Sequence, residues 1–333
     1  MTPWLRRFMS ILALPVLASA LPGAVAAAPP PFITAWNTGG PLSQFNSPCG
    51  IAADVNGYVY VGDLINERIL KYTNSGAYVT EWGTAGNGNG QFHYPFGIAV
   101  DPTGTYVYVA DSWNYRVQKF TSTGTYLSQW GGPGSGSSQF GNFPYGLATD
   151  ASGNVYVADF GNARIQKFDG NGNYLGQWGS YGTGDGQFEG PYGVGVDAVS
   201  GDVYVSDEGN NCRMEKFTGS GGFLAKWGTC YVNNPNTQFS DPSGVAVDGS
   251  GNVYVSDRGA DAMKEFDGSG NLLALWGTLG PQTGNFSGPY GVAVDAPGYV
   301  YVADTGNQRV QKFGPGATPA IASTWGHLKS IYR

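Results

Sequence analysis

Short apolar segments alternate along the chain with turns that are rich in Gly, Asn and Asp. Between residues 145 and 179 four such segments follow one another: YGLATD, NVYVAD, RIQKF and NYLGQWG. Segments of this length that carry β-branched and aromatic residues predict β-strands, and the turns between them are typical of tight hairpins. We expect four antiparallel strands from this stretch, and no part of the repeated region has helical periodicity.

The four-strand unit recurs at a nearly fixed period. The stretch GNVYVADFGNARIQKF, which ends at Phe168, has five further copies, and these end at Tyr72, Phe120, Phe217, Phe266 and Phe313. A Pro-X-Gly motif precedes each copy, with its glycine at positions 50, 97, 146, 193, 244 and 291. The units end near Trp82, Trp130, Trp178, Trp227, Trp276 and Trp325. Six four-stranded units predict an all-β fold, a six-bladed β-propeller of four-stranded antiparallel blades.

Two segments compete for one position in the last blade. FITAW (Phe32 to Trp36) and IASTW (Ile321 to Trp325) both match the outer-strand pattern. We expect the N-terminal strand to complete the final blade, because joining the two ends closes the ring. The chain after Phe313 would then pack outside or fray. On this basis the propeller is predicted over residues 29–326, followed by a tail at 327–333.

The repeated motifs carry a resemblance to a known family. The patterns Pro-Tyr-Gly-Val-Ala-Val-Asp, Asn-Val-Tyr-Val-Ala-Asp and Gly-Asn-X-Arg-Val-Gln-Lys-Phe resemble the NHL repeat, and they extend over essentially all of the chain after the first 28 residues. The resemblance implies a six-bladed propeller, in agreement with the count of units. It implies less about function, since similar propellers serve as binding modules, sensor domains and lyases.

Residues 1–28 have the features of a secretory signal peptide: a basic start, an apolar run broken by prolines and a small-residue cleavage site near Ala26 to Ala28. We therefore expect a secreted protein, extracellular or periplasmic, with no transmembrane segment after cleavage. Loss of Arg6 and Arg7 would move the formal charge from −7 to −9. An acidic protein repels nucleic acid, so nucleic acid is excluded as a partner.

An Asp ends the second strand of every unit, and an Arg opens the third strand in five of the six units. The aspartates are Asp63, Asp111, Asp159, Asp207, Asp257 and Asp304, and the arginines are Arg68, Arg116, Arg164, Arg213 and Arg309. A short Asp side chain caps a turn through backbone N–H groups, and an Arg five residues later can lie across the same turn. Because the pair is repeated, we interpret it as structural and look for function where the units differ.

The loops between blades and the loops between the second and third strands should share one rim, because alternate turns of an antiparallel meander emerge on the same side. The inter-blade loops place Cys49, Phe96, Tyr145, Tyr192, Ser243 and Tyr290 around the channel mouth, and the other loops add Leu64, Trp113, Phe160, Glu208, Arg258 and Thr305. Aromatic faces with hydroxyl groups suit sugars, peptides or apolar small molecules. The alternative is that the rings simply plug the mouth. The candidate ligand-binding residues are Phe96, Trp113, Tyr145, Phe160, Tyr192, Arg258 and Tyr290.

Blade five departs most from the repeat, since Ala262 replaces the Arg and Glu265 replaces the Lys of the other units. This departure indicates either a ligand notch, with Arg258 as a contact for an anion, or neutral drift of one blade among six.

Enzymes that resemble this fold use metal ions held by histidines around the channel. This chain has two histidines, His93 and His327, and the second lies in the predicted tail. His93, Glu189 and Asp241 all fall in inter-blade loops, which makes them weak candidates for a catalytic metal site. No nucleophile–base–acid set is found. No cofactor is predicted, although Ca²⁺ or Zn²⁺ in the central channel stays open as an alternative.

The cysteines support an oxidising compartment. In blade four Cys212 and Cys230 should lie nearly opposite each other on adjacent strands, within reach of a disulfide. We predict this disulfide, which is consistent with export. Cys49 is then left at the channel mouth, either buried in the ring or as a free thiol.

Taken together, these observations favour a secreted, monomeric, non-catalytic propeller that binds a protein, peptide or carbohydrate ligand on its aromatic rim. The alternative is a metal-dependent lyase or lactonase-like hydrolase that uses the same face.

Overall fold

Six four-stranded antiparallel sheets surround a central channel in the computed structural model, which describes residues 28–37, 44–230 and 238–315. The predicted fold, an all-β six-bladed propeller, is confirmed. Helical structure in these ranges is limited to four short 3₁₀ turns at Ser112–Asn114, Phe160–Asn162, Arg258–Ala260 and Thr305–Asn307. No helix in the described ranges is long and apolar enough to span a membrane.

Each of the first three blades is formed by four consecutive strands, from the channel outwards. Blade 1 contains β2 (Pro48–Ala53), β3 (Tyr58–Asp63), β4 (Arg68–Thr73) and β5 (Tyr78–Trp82). Blade 2 contains β6 (Pro95–Val100), β7 (Tyr106–Asp111), β8 (Arg116–Thr121) and β9 (Tyr126–Gly131). Blade 3 contains β10 (Pro144–Thr149), β11 (Val155–Asp159), β12 (Arg164–Phe168) and β13 (Tyr174–Trp178).

Blades 4 and 5 follow the same order, and blade 6 takes its outer strand from the other end of the chain. Blade 4 contains β14 (Gly190–Val196), β15 (Val203–Glu208), β16 (Arg213–Phe217) and β17 (Phe223–Trp227). Blade 5 contains β18 (Pro242–Val247), β19 (Val253–Asp257), β20 (Ala262–Phe266) and β21 (Leu272–Trp276). Blade 6 contains β22 (Pro289–Val294), β23 (Val300–Asp304), β24 (Arg309–Phe313) and β1 (Phe32–Trp36).

The ring is closed by the N-terminal strand, as predicted. Strand β1 pairs antiparallel with β24, with Trp36 opposite Val310. Trp36 also packs against Tyr72 of blade 1, with ring centroids 5.8 Å apart. The segment IASTW, the predicted tail at 327–333 and most of the predicted signal peptide lie outside the described residues.

The tryptophan that ends each outer strand joins one blade to the next. Trp130, for example, contacts Tyr108 of its own blade at 6.0 Å and Phe168 of blade 3 at 5.7 Å. Equivalent contacts recur at the other five interfaces, where six clusters of buried apolar side chains form the core. The core therefore lies between blades rather than within one of them, as expected of a stacked repeat.

The repeated Asp–Arg pair is structural, as predicted. In blade 2 the buried Asp111 accepts a hydrogen bond from the backbone N of His93 at 2.7 Å and pairs with Arg116 at 2.8 Å. Arg116 also donates to the backbone carbonyls of Gly88 and Gln91. The pair thus holds the preceding inter-blade loop against its own blade, which fixes the loops that form the rim.

Candidate ligand-binding face

The two predicted loop sets do share one rim. The backbone N of Trp113, in the loop after β7, donates to the carbonyl of His93 in the inter-blade loop at 3.1 Å. The backbone N of Arg258 makes the same contact with Asp241 at 2.9 Å in blade 5. Side chains from both loop sets therefore lie on one face of the propeller, around the channel.

Four aromatic rings from blades 2, 3, 4 and 6 meet over the channel, and we call Phe96, Tyr145, Tyr192 and Tyr290 the mouth cluster. Tyr145 stacks on Tyr192 with centroids 4.5 Å apart and contacts Phe96 at 4.7 Å. Tyr290 lies 5.6 Å from Phe96 and 6.1 Å from Tyr192. Burial raises the pKa of Tyr145 to about 12, and it also raises the pKa of Tyr192, so both hydroxyls are protonated at neutral pH.

The channel behind the mouth cluster is narrow and apolar. Its lining contains the inner-strand glycines and one aliphatic residue from each blade: Ile51, Ile98, Leu147, Val194, Val245 and Val292. Cys49 and the rings of the mouth cluster complete the lining. The cavity has a volume of about 70 Å³, whereas ligand pockets usually enclose about 300–1,000 Å³. A ligand of ordinary size would therefore lie on the outer surface of the mouth cluster rather than in the channel.

The aromatic surface continues outwards over blades 2 and 3 as a second group of rings, which we call the aromatic strip: His93, Tyr94, Trp113 and Phe143. Trp113 lies 5.2 Å from His93, 5.1 Å from Tyr94 and 5.4 Å from Phe143. Phe143 in turn stacks on Tyr145 of the mouth cluster at 5.9 Å. The indole of Trp113 is 50% exposed, so the strip offers contact area to a ligand.

Tyr94 and Phe143 are site residues that the sequence analysis missed. Each precedes the Pro of its inter-blade loop, and their φ angles are 57° and 65°. Ser47 and Gly288 occupy the equivalent position in two other units and have φ angles of 62° and 55°, so this left-handed conformation is a feature of the repeated loop. The signal in the sequence was the variable position before each Pro-X-Gly motif, where these two units alone carry an aromatic residue.

On the opposite side of the mouth three ionisable side chains from blades 4 and 5 meet, and we call Glu208, Asp241 and Arg258 the charged edge. Arg258 Nε donates to Asp241 Oδ2 at 2.6 Å, and Arg258 Nη2 lies 3.3 Å from Glu208 Oε1. Arg258 Nη1 also donates to the hydroxyl of Tyr290, and the guanidinium lies 4.7 Å from the centre of that ring. The charged edge is thus joined to the mouth cluster.

The electrostatics of the charged edge depend on Glu208, which the sequence analysis placed on the rim without assigning it a role. Burial and the neighbouring Asp241 carboxyl raise the pKa of Glu208 to about 8, while Arg258 opposes this shift. Glu208 is therefore largely protonated at neutral pH. A carboxyl whose pKa is raised by burial and by a neighbouring carboxyl, as that of Glu208 is, is common in active sites.

The three weak catalytic candidates have separate partners. His93 belongs to the aromatic strip, Glu189 accepts a hydrogen bond from the backbone N of Asn210, and Asp241 pairs with Arg258. In residues 28–37, 44–230 and 238–315 no three His, Cys, Asp or Glu side chains are grouped so that they could hold a metal ion. Phe160 lies beside the mouth cluster, 5.1 Å from Tyr145.

The lost arginine of blade 5 is replaced by a nearby cation. Lys264, which is 1% exposed in its side chain, pairs with Asp257 at 2.8 Å. Lys264 lies two positions after Ala262 on β20 and so extends from the same face of the strand. Lys264 thus supplies the positive charge beside Asp257 that the arginine supplies in the other units, and Arg258 is paired with Asp241 and Glu208.

The predicted disulfide is present. Cys212 and Cys230 are bonded, with their Cα atoms 4.7 Å apart just beyond the paired ends of β16 and β17. Cys49 is buried, with its Sγ 3.6 Å from the carbonyl oxygen of Pro95. Burial raises the pKa of this thiol to about 12, so Cys49 is a packed core residue of the ring rather than a reactive thiolate.

Comparisons with known proteins agree with this architecture. Residues 46–180 match the family model of the SMP-30/gluconolactonase/LRE-like region, and residues 239–261 and 286–313 match the NHL repeat. The comparison with curated proteins gives no match.

Several solved structures share the fold. A gluconolactonase from Xanthomonas campestris gives a TM-score of 0.63 at 16% identity, over 88% of this chain and 97% of that chain. Virginiamycin B lyase from Staphylococcus aureus gives 0.57 at 15% identity, over 84% and 98% of the two chains. A nidogen/laminin complex gives 0.55 at 21% identity, over 74% and 84%. At these identities the likeness shows the fold, which accommodates enzymes and binding proteins alike.

Proposed function

Because the chain is a six-bladed β-propeller that contains NHL repeats, we propose that it is a non-catalytic binding propeller whose ligand lies across the mouth cluster and the aromatic strip. The observation that carries the proposal is a continuous aromatic surface over a channel of only about 70 Å³. In this proposal the rings fill the channel mouth and also form the surface on which a ligand lies, so a structural role and a ligand-binding role of the tyrosines are compatible. The ligand classes that fit are a peptide, a protein loop or a carbohydrate.

We place this function outside the cytoplasm. Residues 1–28 would act as a cleaved leader, and the Cys212–Cys230 disulfide suits an oxidising compartment. The chain has a formal net charge of −7, and an acidic protein repels nucleic acid, so we do not propose nucleic acid as a ligand. We treat the mature protein as a monomer.

The test is a screen of the mature protein against glycans and peptides, followed by substitution of Trp113. We expect Trp113→Ala to weaken binding roughly 30-fold, since a buried interface tryptophan typically contributes about 2 kcal/mol. Trp113 is half exposed in the free protein, so its loss should leave the fold intact. Tyr181→Ala is the matched control, because Tyr181 is 73% exposed and belongs to neither aromatic group. A ligand that binds the Trp113 variant as tightly as wild type would place the site elsewhere.

A metal-dependent lyase or lactonase-like hydrolase is the second candidate, and the neighbouring carboxyls of Glu208 and Asp241 favour it, although the described residues contain no group of three ligands that could hold a metal ion. Elemental analysis of the secreted protein after dialysis against a mild chelator separates the two functions. One retained metal ion per chain, together with turnover that disappears when the ion is removed, would support the enzyme. Binding without turnover in a metal-free protein supports the binding propeller.

A further inference from the structure

A second cavity lies in blade 5, between the loops that carry Asp241 and Arg258 and the outer strand β21. Its volume is about 330 Å³, within the range of about 300–1,000 Å³ that ligand pockets usually enclose. The buried Ala262 and Lys264 form its floor, Ala260 and Leu275 form its walls, and the exposed Ser240 and Thr278 form its rim. This blade-5 cavity shares no described lining residue with the channel, so it is a separate place in the fold.

The cavity arises from two substitutions that occur together in blade 5. In blade 2 Arg116 donates a hydrogen bond to Gln129 on the outer strand at 2.6 Å, and blade 3 has the same hydrogen bond at 2.8 Å. The equivalent residues of blade 5 are Ala262 and Leu275. Each change replaces a polar side chain by an apolar one, so the space that a guanidinium fills in the other blades is open here and bounded by apolar groups.

The charged groups next to the blade-5 cavity are already paired. Lys264 pairs with Asp257 at 2.8 Å and also donates to the backbone carbonyl of Gln238. Arg258 is bonded to Asp241 on the side of the channel mouth. An incoming ion would lose its hydration without gaining a free partner of opposite charge among the described residues, and such burial is unfavourable. The cavity therefore favours an uncharged ligand.

The rim offers hydroxyl groups to the polar end of such a ligand. Ser240 and Thr278 both lie at the rim. Thr278 Oγ1 donates to Asn285 at 3.1 Å, so its lone pairs stay available to an incoming donor. An apolar floor with a few polar groups at the opening is the general pattern of small-molecule sites.

We propose that the blade-5 cavity binds a small neutral molecule, whose ring or branched alkyl group lies against Ala262 and Leu275 and whose hydroxyl group lies at the rim. This inference is independent of the proposed function, because it concerns a second site whose lining includes no residue of the mouth cluster or the aromatic strip.

The experiment is an NMR titration of the purified protein with benzyl alcohol and with cyclohexanol. Benzylamine, which is protonated at neutral pH, and benzoate are the charged counterparts of the first probe. We expect both alcohols to bind and the charged counterparts to bind at least about ten-fold more weakly, because an ion must be desolvated without a free partner. Intermolecular NOEs from the alcohols should reach the methyl groups of Ala262 and Leu275.

Ala262→Arg places in the cavity the side chain that the other five blades carry at this position. It should lower the affinity for both alcohols at least about ten-fold, because the apolar contact area is lost. Ala151→Arg is the matched control, since it adds the same side chain at an exposed turn of blade 3 and should leave binding unchanged. Leu275→Gln is a second variant, which keeps the size of a half-buried side chain and should weaken binding about three-fold.

Three results would overturn the inference: neither alcohol binds, a charged counterpart binds as tightly as benzyl alcohol, or Ala262→Arg binds the alcohols as wild type does. NOEs to Trp113 instead of Ala262 and Leu275 would place the probes on the aromatic strip and overturn it equally. Ligands that require Trp113 should bind Ala262→Arg as they bind wild type, so failure of the cavity site leaves the proposed function standing.

Discussion

Replacing Gly97 with alanine is expected to lower the free energy of unfolding by at least about 3 kcal/mol, the upper range for overpacking a core. A Cβ at this position would lie 2.0 Å from the carbonyl oxygen of Tyr145 in the next blade and 3.0 Å from the backbone N of Leu147. Both contacts are with backbone atoms, which cannot rotate away as a side chain can. Relief requires the inner strands β6 and β10 to separate.

The same contact is repeated around the ring, which explains the six Pro-X-Gly motifs. A Cβ on the motif glycine would lie 1.8–2.4 Å from a carbonyl oxygen of the following blade in every unit. Those oxygens belong to Cys49, Phe96, Tyr145, Tyr192, Ser243 and Tyr290. The glycines therefore set the width of the channel and the positions of the mouth residues, so Gly97→Ala should also disturb ligand binding.

Gly176→Ala provides the control for this prediction. Gly176 lies in the outer strand β13, and a Cβ there would have no neighbour within 4 Å. Its replacement by alanine should change the free energy of unfolding by less than about 1 kcal/mol. The change is stabilising if alanine lowers the conformational entropy of the unfolded chain. Urea unfolding monitored by tryptophan fluorescence measures both variants. Equal midpoints for the two would show that the inner strands are not in close backbone contact.

The fold could be predicted from sequence because its determinants are local and repeated. Strand patterns, turn residues and the period each recur six times, so the number of blades follows without knowledge of any distance. Closure of the ring by the strand FITAW could be inferred from the topology, and the Cys212–Cys230 disulfide could be inferred from the register of one hairpin. Each inference needed only neighbouring strands or the two ends of a ring.

The candidate site could be predicted only in part. The Pro-X-Gly motif places Phe96, Tyr145, Tyr192 and Tyr290 at the mouth, but it does not specify how they stack. Phe143 contacts Tyr145 from a loop position where the backbone has a positive φ angle. Such a loop path is determined by tertiary contacts rather than by local pattern.

The charged edge was more difficult to predict from the sequence, because Glu208, Asp241 and Arg258 come from two blades and from two types of loop. Their contacts depend on the angle between neighbouring blades, and one sequence carries no direct record of that angle. Lys264, by contrast, could have been predicted. Residues two apart on a strand share a face, so Lys264 was the natural replacement for the arginine lost at Ala262.

Glu215→Gln is expected to stabilise the protein at pH 8 by roughly 3 kcal/mol, because burial raises the pKa of the Glu215 carboxyl and makes its ionised form costly in the folded state. In blades 2, 3 and 6 the equivalent residue is a glutamine. Gln118, for example, donates to Asp111 at 3.0 Å and to the carbonyl of Gln91 at 2.7 Å. Glu215 is fully buried near Asp207, and an ionised carboxylate cannot make these donations.

The expected pH dependence follows from the direction of the shift. Burial raises the pKa of Glu215 to about 7 from an ordinary value of 4.5, although Arg213 opposes the change from 2.6 Å. The folded state therefore holds a proton that the unfolded chain has lost, and the free energy of unfolding falls as the pH rises from about 4.5 to about 7. Above that range the folded protein carries the full free-energy cost of burying an ionised Glu215. Wild type and Glu215→Gln should thus be equally stable near pH 4 and diverge towards pH 8.

The reciprocal change in blade 3 tests the same physics in a matched environment. Gln166 is fully buried and donates to Asp159 at 3.1 Å. Gln166→Glu should introduce a similar loss of stability at pH 8 and little change near pH 4. Urea unfolding of the three proteins at pH 4.5, 6 and 8 measures the effect. Subtracting the unfolding free energy of the wild type from that of each variant removes the contributions of other titrating groups such as Glu208. If the unfolding free energy of Glu215→Gln depends on pH as that of the wild type does, Glu215 is ionised in the folded protein and Arg213 outweighs its burial.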